Sequence, residues 1–102
     1  MITELVSVII NSHNGAKYIK KSVNSALKQT YDNIEIIFWD NASNDKTKEV
    51  IADCNFDNRF KYYYSENFSK LYDAKQKAIK LAKGKYLAFM RCVNLANASI
   101  VN

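Results

Sequence analysis

A short polar segment directly follows an apolar run near the middle of the chain. The run Ile34 to Trp39 is rich in Ile, Phe and Trp, which suits a strand buried on both faces of a parallel sheet. Asp40 and Asn41 follow this strand. Open α/β sheets bind their ligands at the carboxyl ends of strands, because helix N-termini that favour anions converge there. The stretch therefore predicts a binding site that includes Asp40.

A second polar group follows the first β-rich run of the sequence. Leu5 to Ile10 predicts strand one, and residues 11–15, which read NSHNG, predict a turn at its carboxyl end. Loops that leave this edge of a parallel sheet converge. Like Asp40, this turn follows the carboxyl end of a predicted strand.

Strands and helices alternate along the chain. Apolar spacing and β-rich runs predict helices over 17–29, 46–54 and 70–83, and strands over 5–10, 34–39, 60–64 and 86–90. Ser43, Asn44 and Asp45 are candidate caps of the second helix, and Gly84 is expected to end the third in a left-handed conformation. The alternation implies an α/β fold, a three-layer, open, mostly parallel sheet that is truncated after strand four. We expect one domain over residues 1–102, with an exposed sheet edge that suggests either a homodimer or a longer parent protein.

The composition is that of a globular protein, with 48% hydrophobic and 25% charged residues and a net charge of +5. No run reaches the ~18 apolar residues of a membrane span, and the N-terminus does not resemble a signal peptide, so we expect a cytoplasmic protein. Cys54 and Cys92 have no paired spacing and are expected to be free thiols. The lysines are scattered through helical segments, which favours solvated helix faces.

Residues 6–47 and 78–90 resemble two segments of the family-2 glycosyltransferases. The first matches the family's opening strand and turn, the helix ending in a Gln-Thr-Tyr-like sequence, and the strand ending in Asp-Asp-x-Ser. The second, AIKLAKGKYLAFM, is similar to the segment before the family's metal-binding Asp-x-Asp motif. The resemblance implies the nucleotide-sugar-binding half of a GT-A, Rossmann-like fold.

In this family the turn after strand one and the acidic end of strand two hold the base and ribose of the nucleotide. The resemblance places this role on Ser12, His13, Asn14, Asp40, Asn41 and Ser43. His13 replaces the usual aromatic residue and Asn41 the second acid, so we expect altered contacts with the base. Two structural alternatives remain, His13 as an ordinary loop residue and Asp40 as a cap on the approach to the next helix.

The chain departs from the family at the Asp-x-Asp motif. Arg91, Cys92 and Val93 occupy its positions, followed by Asn94. Mn²⁺ or Mg²⁺ bound to a diphosphate needs carboxylate oxygens, so we expect the family's metal site to be absent. One hypothesis is that Arg91 replaces the ion and stabilises the diphosphate. The alternatives are a decayed site and a non-native continuation of the chain.

The catalytic base of an inverting family member cannot be assigned here. Its role is to remove the proton of the attacking hydroxyl, and it lies beyond the matched segments. Asp57, Glu66 and Asp73 are carboxylates without a distinguishing pattern.

The resemblance implies a transferase that moves a sugar from a nucleotide diphosphate, with a UDP-sugar as the first expectation, to a hydroxyl of a glycan or lipid. The alternative is an inactive nucleotide-binding or dimerising module. Peripheral membrane association is compatible with the family. Nucleic-acid binding would use Tyr62, Tyr63 and Tyr64 beside Lys61, but strand alternation favours core packing, so we expect no nucleic-acid partner.

Overall fold

The structure, a computed structural model, describes residues 3–91 of the chain. Seven elements alternate between strand and helix. They are β1 (Val6–Ser12), α1 (Ile19–Leu27), β2 (Ile34–Asn41), α2 (Thr47–Cys54), β3 (Phe60–Ser65), α3 (Leu71–Ile79) and β4 (Tyr86–Arg91). The alternation is the one that the sequence predicts.

The strands form one parallel sheet in the order β3-β2-β1-β4. Because β1 lies in the interior and pairs with both β2 and β4, the carboxyl ends of these three strands meet at one edge. Asn11 on β1 is in register with Trp39 on β2 and with Arg91 on β4. The predicted parallel α/β fold is confirmed.

Two hydrophobic clusters cover the two faces of the sheet. The larger cluster includes Phe38 of β2 and Val23 of α1, and α2 packs against it. The smaller lies beneath α3, where Ala78 packs with Ile9 and Ile37. The sheet therefore lies between α1 with α2 on one face and α3 on the other, which confirms the predicted three layers.

The predicted ends of several elements differ from those in the structure. β1 and β2 continue two residues beyond their apolar runs, because Ser12 stays in register with Asp40 and the parallel ladder does not require apolar side chains. α3 stops at Ile79 instead of residue 83. There the backbone N–H groups of Leu81 and Ala82 donate to carbonyls three residues back, at 3.0 Å each, which tightens the last turn.

Gly84 has a role different from the predicted one. It does not end α3, and its φ is not positive, so the predicted left-handed cap is wrong. Its N–H donates to Ser7 Oγ at 2.8 Å. A Cβ at this position would lie 2.6 Å from Ser7 Oγ and 2.8 Å from the Leu5 carbonyl oxygen. Glycine is required here because the connection before β4 passes very close to β1.

A buried carboxylate holds this same connection to the sheet. Glu35 is 3% exposed. Its oxygens accept hydrogen bonds from Ser7 Oγ at 2.5 Å, from the Lys83 backbone N–H at 2.6 Å and from Lys61 Nζ at 2.8 Å. Burial raises the pKa of Glu35, but the bonds from Lys61, Ser7 and Lys83 outweigh it and lower the pKa overall. Glu35 therefore links β1, β2, β3 and the segment before β4.

The three consecutive tyrosines of β3 divide between the two faces. Tyr62 packs against the larger cluster, Tyr63 against the smaller, and Tyr64 is 40% exposed. The predicted core packing is confirmed for Tyr62 and Tyr63. Cys54 is a free thiol, as predicted, whereas Cys92 lies outside the described residues. Within residues 3–91, no helix has the length and apolar character that crossing a bilayer requires.

Candidate functional site

The loops after β1 and β2 are joined by hydrogen bonds at the carboxyl edge of the sheet. His13 Nδ1 lies 2.6 Å from the Asn41 carbonyl oxygen. Because a carbonyl only accepts, Nδ1 carries the proton and donates. The Asn14 N–H donates to Ser43 Oγ at 2.8 Å, and the Asn44 N–H donates to Asn14 Oδ1 at 2.8 Å. The two predicted polar groups therefore form one site.

Two residues in the left-handed region shape these loops. Asn14 and Ala42 both have φ of 55°. Asparagine tolerates this conformation well, whereas alanine adopts it at some cost. The turns reverse directly after the strands and bring Asn14 against Ser43.

Asp40 lies inside the site and is fully buried. Its Oδ1 accepts the Ser43 N–H at 3.0 Å, and its Oδ2 accepts the Tyr62 hydroxyl at 2.5 Å. Burial and the neighbouring Asp40 carboxylate hold the pKa of Tyr62 well above its ordinary value. The buried Asp40 carboxylate thus holds both the turn after β2 and the adjacent strand β3.

Asn41 uses both ends of its side-chain amide to hold a third loop. Nδ2 donates to the Ser69 carbonyl oxygen at 2.7 Å, and Oδ1 accepts the Ser69 N–H at 3.0 Å. Lys77 Nζ also donates to Ser69 Oγ at 2.8 Å. The connection between β3 and α3 is therefore fixed over the end of β2.

This connection brings an aromatic residue to the site that sequence reasoning missed. The rings of Phe68 and His13 lie 4.8 Å apart at an interplanar angle of 73°. Phe68 is 62% exposed, and His13 is exposed as well. No strand end or motif in the sequence indicated Phe68, because it lies in a segment predicted only as a loop. Together the two rings form an open aromatic surface, here called the aromatic wall.

Asp45 ties the start of α2 to the approach to α1. Its Oδ1 accepts the Thr47 N–H at 3.0 Å and the Thr47 hydroxyl at 2.5 Å, and its Oδ2 accepts the Ala16 N–H at 3.2 Å. Desolvation raises its pKa, but the bonds from Thr47 and Ala16 lower it overall. The N-cap of α2 is Lys46, whose side chain makes no capping bond, so none of the three predicted caps occupies that position. Of the three, Asp45 is the one that bonds Thr47 in the first turn.

The two remaining predicted residues lie apart from this network. Ser12 is 6% exposed, and its hydroxyl has no hydrogen-bond partner among residues 3–91. Arg91 ends β4 and is exposed at the same edge, on the opposite side of β1 from β2. The described part of the chain has no group of three His, Cys, Asp or Glu that could hold a metal ion. Arg91, at the first position of the Asp-x-Asp motif, has no carboxylate oxygen to offer a divalent cation.

An open parallel sheet with polar loops at its carboxyl edge defines a Rossmann-like α/β protein. The family model for glycosyl transferase family 2 matches residues 7–90. The chain belongs to this family.

Relatives of known sequence agree with this assignment. The chain is 35% identical to the glycosyltransferase GlyG of Streptococcus pneumoniae, over 98% of this chain and 34% of that protein. It is 41% identical to the glucosyltransferase WfaP of Escherichia coli, named for UDP-Glc and α-D-GlcNAc-diphosphoundecaprenol, over 85% of this chain and 34% of that protein. The chain thus spans about a third of the length of these relatives.

Solved structures have the same fold. The S. aureus TarS fragment in complex with UDP-GlcNAc matches 85% of this chain and 26% of its own, with a TM-score of 0.77 and 27% identity. The mannosyltransferase PcManGT of Pyrobaculum calidifontis, in complex with GDP-Man and Mn²⁺, has a TM-score of 0.81 at 21% identity, over 90% of this chain and 28% of its own.

Proposed function

We propose that residues 1–102 form a single domain that binds a nucleotide diphosphate sugar, with a UDP-sugar as the expected donor. In the complete protein this domain would present the donor for transfer of its sugar to a hydroxyl of a glycan or lipid. The family match and the nucleotide-sugar complexes of the structural neighbours support this proposal.

The observation that carries the proposal is the arrangement at the carboxyl edge. Asp40, Asn41 and Ser43 hold the loops from within, so His13 and Phe68 remain exposed side by side. A nucleobase can stack on such aromatic rings. We therefore assign base contact to the aromatic wall and loop positioning to Asp40, Asn41 and Ser43.

Arg91 is the proposed partner of the diphosphate. Its guanidinium carries a permanent charge and a planar fork of donors that suits phosphate oxygens, and it lies exposed at the same edge. Ser12 and Asn14 complete the predicted set on β1 and its loop. Since no carboxylate occupies the two motif positions at Arg91 and Val93, binding would not depend on a divalent cation.

Calorimetric titration with UDP and UDP-sugars, with and without manganese, tests these assignments. His13→Ala and Phe68→Ala should each weaken UDP binding by about five- to 150-fold, as stacking on an aromatic ring contributes ~1–3 kcal/mol. His13→Phe should retain most of the affinity because it retains a ring. Arg91→Ala should weaken UDP binding more than uridine binding.

Matched variants outside the site show whether a loss of UDP affinity is specific to the site. Tyr86→Ala removes an exposed ring at the start of β4 and Lys85→Ala an exposed charge beside it, and neither should change UDP affinity. Binding that strengthens with manganese would restore a metal-dependent enzyme mechanism. Equal affinity of wild type and Arg91→Ala would exclude the role of Arg91, and no UDP binding would exclude the donor site.

The alternative is a catalytically inactive nucleotide-binding or dimerising module, which the replaced motif at Arg91 favours. Sugar transfer by the complete protein, followed with a radiolabelled UDP-sugar, separates it from the enzyme. The homodimer, the peripheral membrane association and the cytoplasmic location stay predictions. Light scattering after size exclusion tests the first of these.

A further inference from the structure

The polar side chains at the carboxyl edge of the sheet bond mainly to one another. Asp40 is fully buried, and its oxygens accept the Ser43 N–H at 3.0 Å and the Tyr62 hydroxyl. Asn41 is buried too, and the backbone of Ser69 takes both ends of its amide, at 2.7 and 3.0 Å. A base stacked on the aromatic wall therefore cannot bond to Asp40 or Asn41 without displacing these partners.

The two serines of the predicted base site are also closed to a base. Ser43 is buried, and its hydroxyl oxygen accepts the Asn14 N–H at 2.8 Å. The Ser12 hydroxyl has no partner among residues 3–91, but its oxygen is shielded from solvent. Burial therefore keeps both hydroxyls from a hydrogen bond with a base.

His13 and Asn14 are exposed but bond to each other. His13 Nδ1 donates to the Asn41 carbonyl oxygen, so Nε2 is the acceptor, and it lies 3.3 Å from Asn14 Nδ2. Asn14 Oδ1 accepts the Asn44 N–H at 2.8 Å. Because an amide nitrogen carries two hydrogens, one N–H of Asn14 is left for a ligand. Every common base has an acceptor on its edge, so this donor does not distinguish one base from another.

The amide of Asn41 has a structural consequence that an acid at this position would not have. An amide donates to and accepts from the Ser69 backbone at once, whereas a carboxylate only accepts. Asn41 thereby holds the loop that brings Phe68 beside His13. The residue that replaces the family's second acid therefore supplies the second ring of the aromatic wall in exchange for an acidic contact with the base.

We propose that the donor site accepts purine and pyrimidine nucleoside diphosphates alike, because it holds the base by stacking and forms no selective hydrogen bond with its edge. The donor site of the proposed function, on which this inference rests, keeps UDP as one of its ligands. Stacking on aromatic rings tolerates every base, since each base has a π-face. Strong selection, of about ten-thousandfold or more, needs polar groups that the wrong substrate leaves unpaired. Here Asp40, Asn41 and Ser43 are already paired within the protein.

The test is calorimetric titration of the 102-residue chain with UDP, CDP, ADP and GDP, and with pyrophosphate as a ligand without a base. The four nucleoside diphosphates should bind within about tenfold of one another. Pyrophosphate should bind at least about fivefold more weakly than any of them, because it cannot stack. Phe68→Ala should weaken all four by a similar factor and leave pyrophosphate binding unchanged.

Variants at the polar positions show whether any of them recognises the base. His13→Phe keeps a ring but removes both nitrogens, and it should leave the ratios of the four affinities unchanged. Asn41→Asp should weaken all four together, because it acts through Phe68. Asn44→Ala, which removes an exposed amide from the loop after β2, should change none of them. Circular dichroism and thermal unfolding confirm that each variant is folded.

Two results would overturn the proposal while leaving the donor site in place. They are a spread of more than about tenfold among the four nucleoside diphosphates, and a change confined to one of them in His13→Phe, Asn41→Asp or Asn44→Ala. Pyrophosphate binding as tight as that of UDP would overturn it as well, because the base would then make no contact. No binding of any of the four would instead exclude the donor site itself, and with it the proposed function.

Discussion

Among single side chains, Glu35 makes the clearest link between protonation and stability. Its pKa is lowered in the folded state because bonds from Lys61, Ser7 and Lys83 outweigh burial. Stability from this group is therefore complete above the ordinary glutamate value of 4.5 and is lost as pH falls through the lower folded value. Glu35→Gln should reduce the free energy of unfolding at neutral pH by ~1–3 kcal/mol, measured by urea denaturation.

The difference in the free energy of unfolding between wild type and Glu35→Gln should shrink as the pH falls. Protonation of Glu35 makes the wild-type side chain neutral, as the glutamine already is. Asp57→Asn is the comparison, since Asp57 pairs with Arg59 at 3.0 Å on the surface, with a side chain 49% exposed. Its effect should stay below ~1 kcal/mol. A difference for Glu35→Gln that is constant with pH would contradict the assigned role.

Gly84 gives a purely steric prediction. In Gly84→Ala the new Cβ would meet Ser7 N at 2.7 Å and the Leu5 oxygen at 2.8 Å, and backbone atoms cannot rotate away. We expect a loss of ~1–3 kcal/mol in the free energy of unfolding, read from thermal or urea unfolding. Lys83→Ala, at the exposed neighbouring position, should have little effect. Equal stability of both variants would show that the connection before β4 can shift.

The side chain of Asn41 holds the loop between β3 and α3 at the end of β2. Asn41→Asp keeps an oxygen for the Ser69 N–H but loses the donor to the Ser69 carbonyl, at 2.7 Å, and puts a carboxylate oxygen against it. The loop should loosen, with amide hydrogen exchange at Ser69 faster by about tenfold, as expected for ~1–1.5 kcal/mol of lost hydrogen bonding. UDP affinity should fall as Phe68 moves.

The control for this loop is Ser65→Ala, which removes a bond of 2.8 Å from Ser65 Oγ to the Asn67 carbonyl within the exposed part of the segment. It should leave exchange at Ser69 nearly unchanged. Tighter UDP binding by Asn41→Asp would instead show that this position faces the base, as the family resemblance implies.

Local sequence determined the type of each helix and strand better than its ends. Apolar runs and helical spacing predicted all seven elements and the parallel sheet, because burial depends on periodicity. Their ends were less predictable, since Ser12 remains in β1 through pairing with Asp40, a contact distant in sequence. Strand ends indicated Asp40 and the turn after β1, and the family resemblance named the other site residues. Phe68 could not, because a hydrogen bond from Asn41 places it there.

Taken as one folding unit, residues 3–91 depend on contacts between distant parts of the chain. β1 pairs with both β2 and β4, and Glu35 bonds to the backbone of Lys83. No half of the sheet can keep these contacts alone, so unfolding should be a single cooperative transition. Calorimetry should give equal calorimetric and van't Hoff enthalpies, with a heat-capacity change of about 1.2–1.5 kcal/mol/K for a chain of this length.

The position of β4 at the edge of the sheet tests whether the whole sheet unfolds in one transition. Among the described strands β4 has one neighbour, β1, yet its Ala88 and Met90 are buried in the larger cluster. If that burial couples β4 to the rest, Gly84→Ala should lower the midpoint of the single transition without broadening it. A second transition at lower temperature, enlarged by Gly84→Ala, would mean that β4 unfolds separately. In that case Arg91 would lie on a segment of lower stability than the aromatic wall, and diphosphate contact would be lost on heating before base contact.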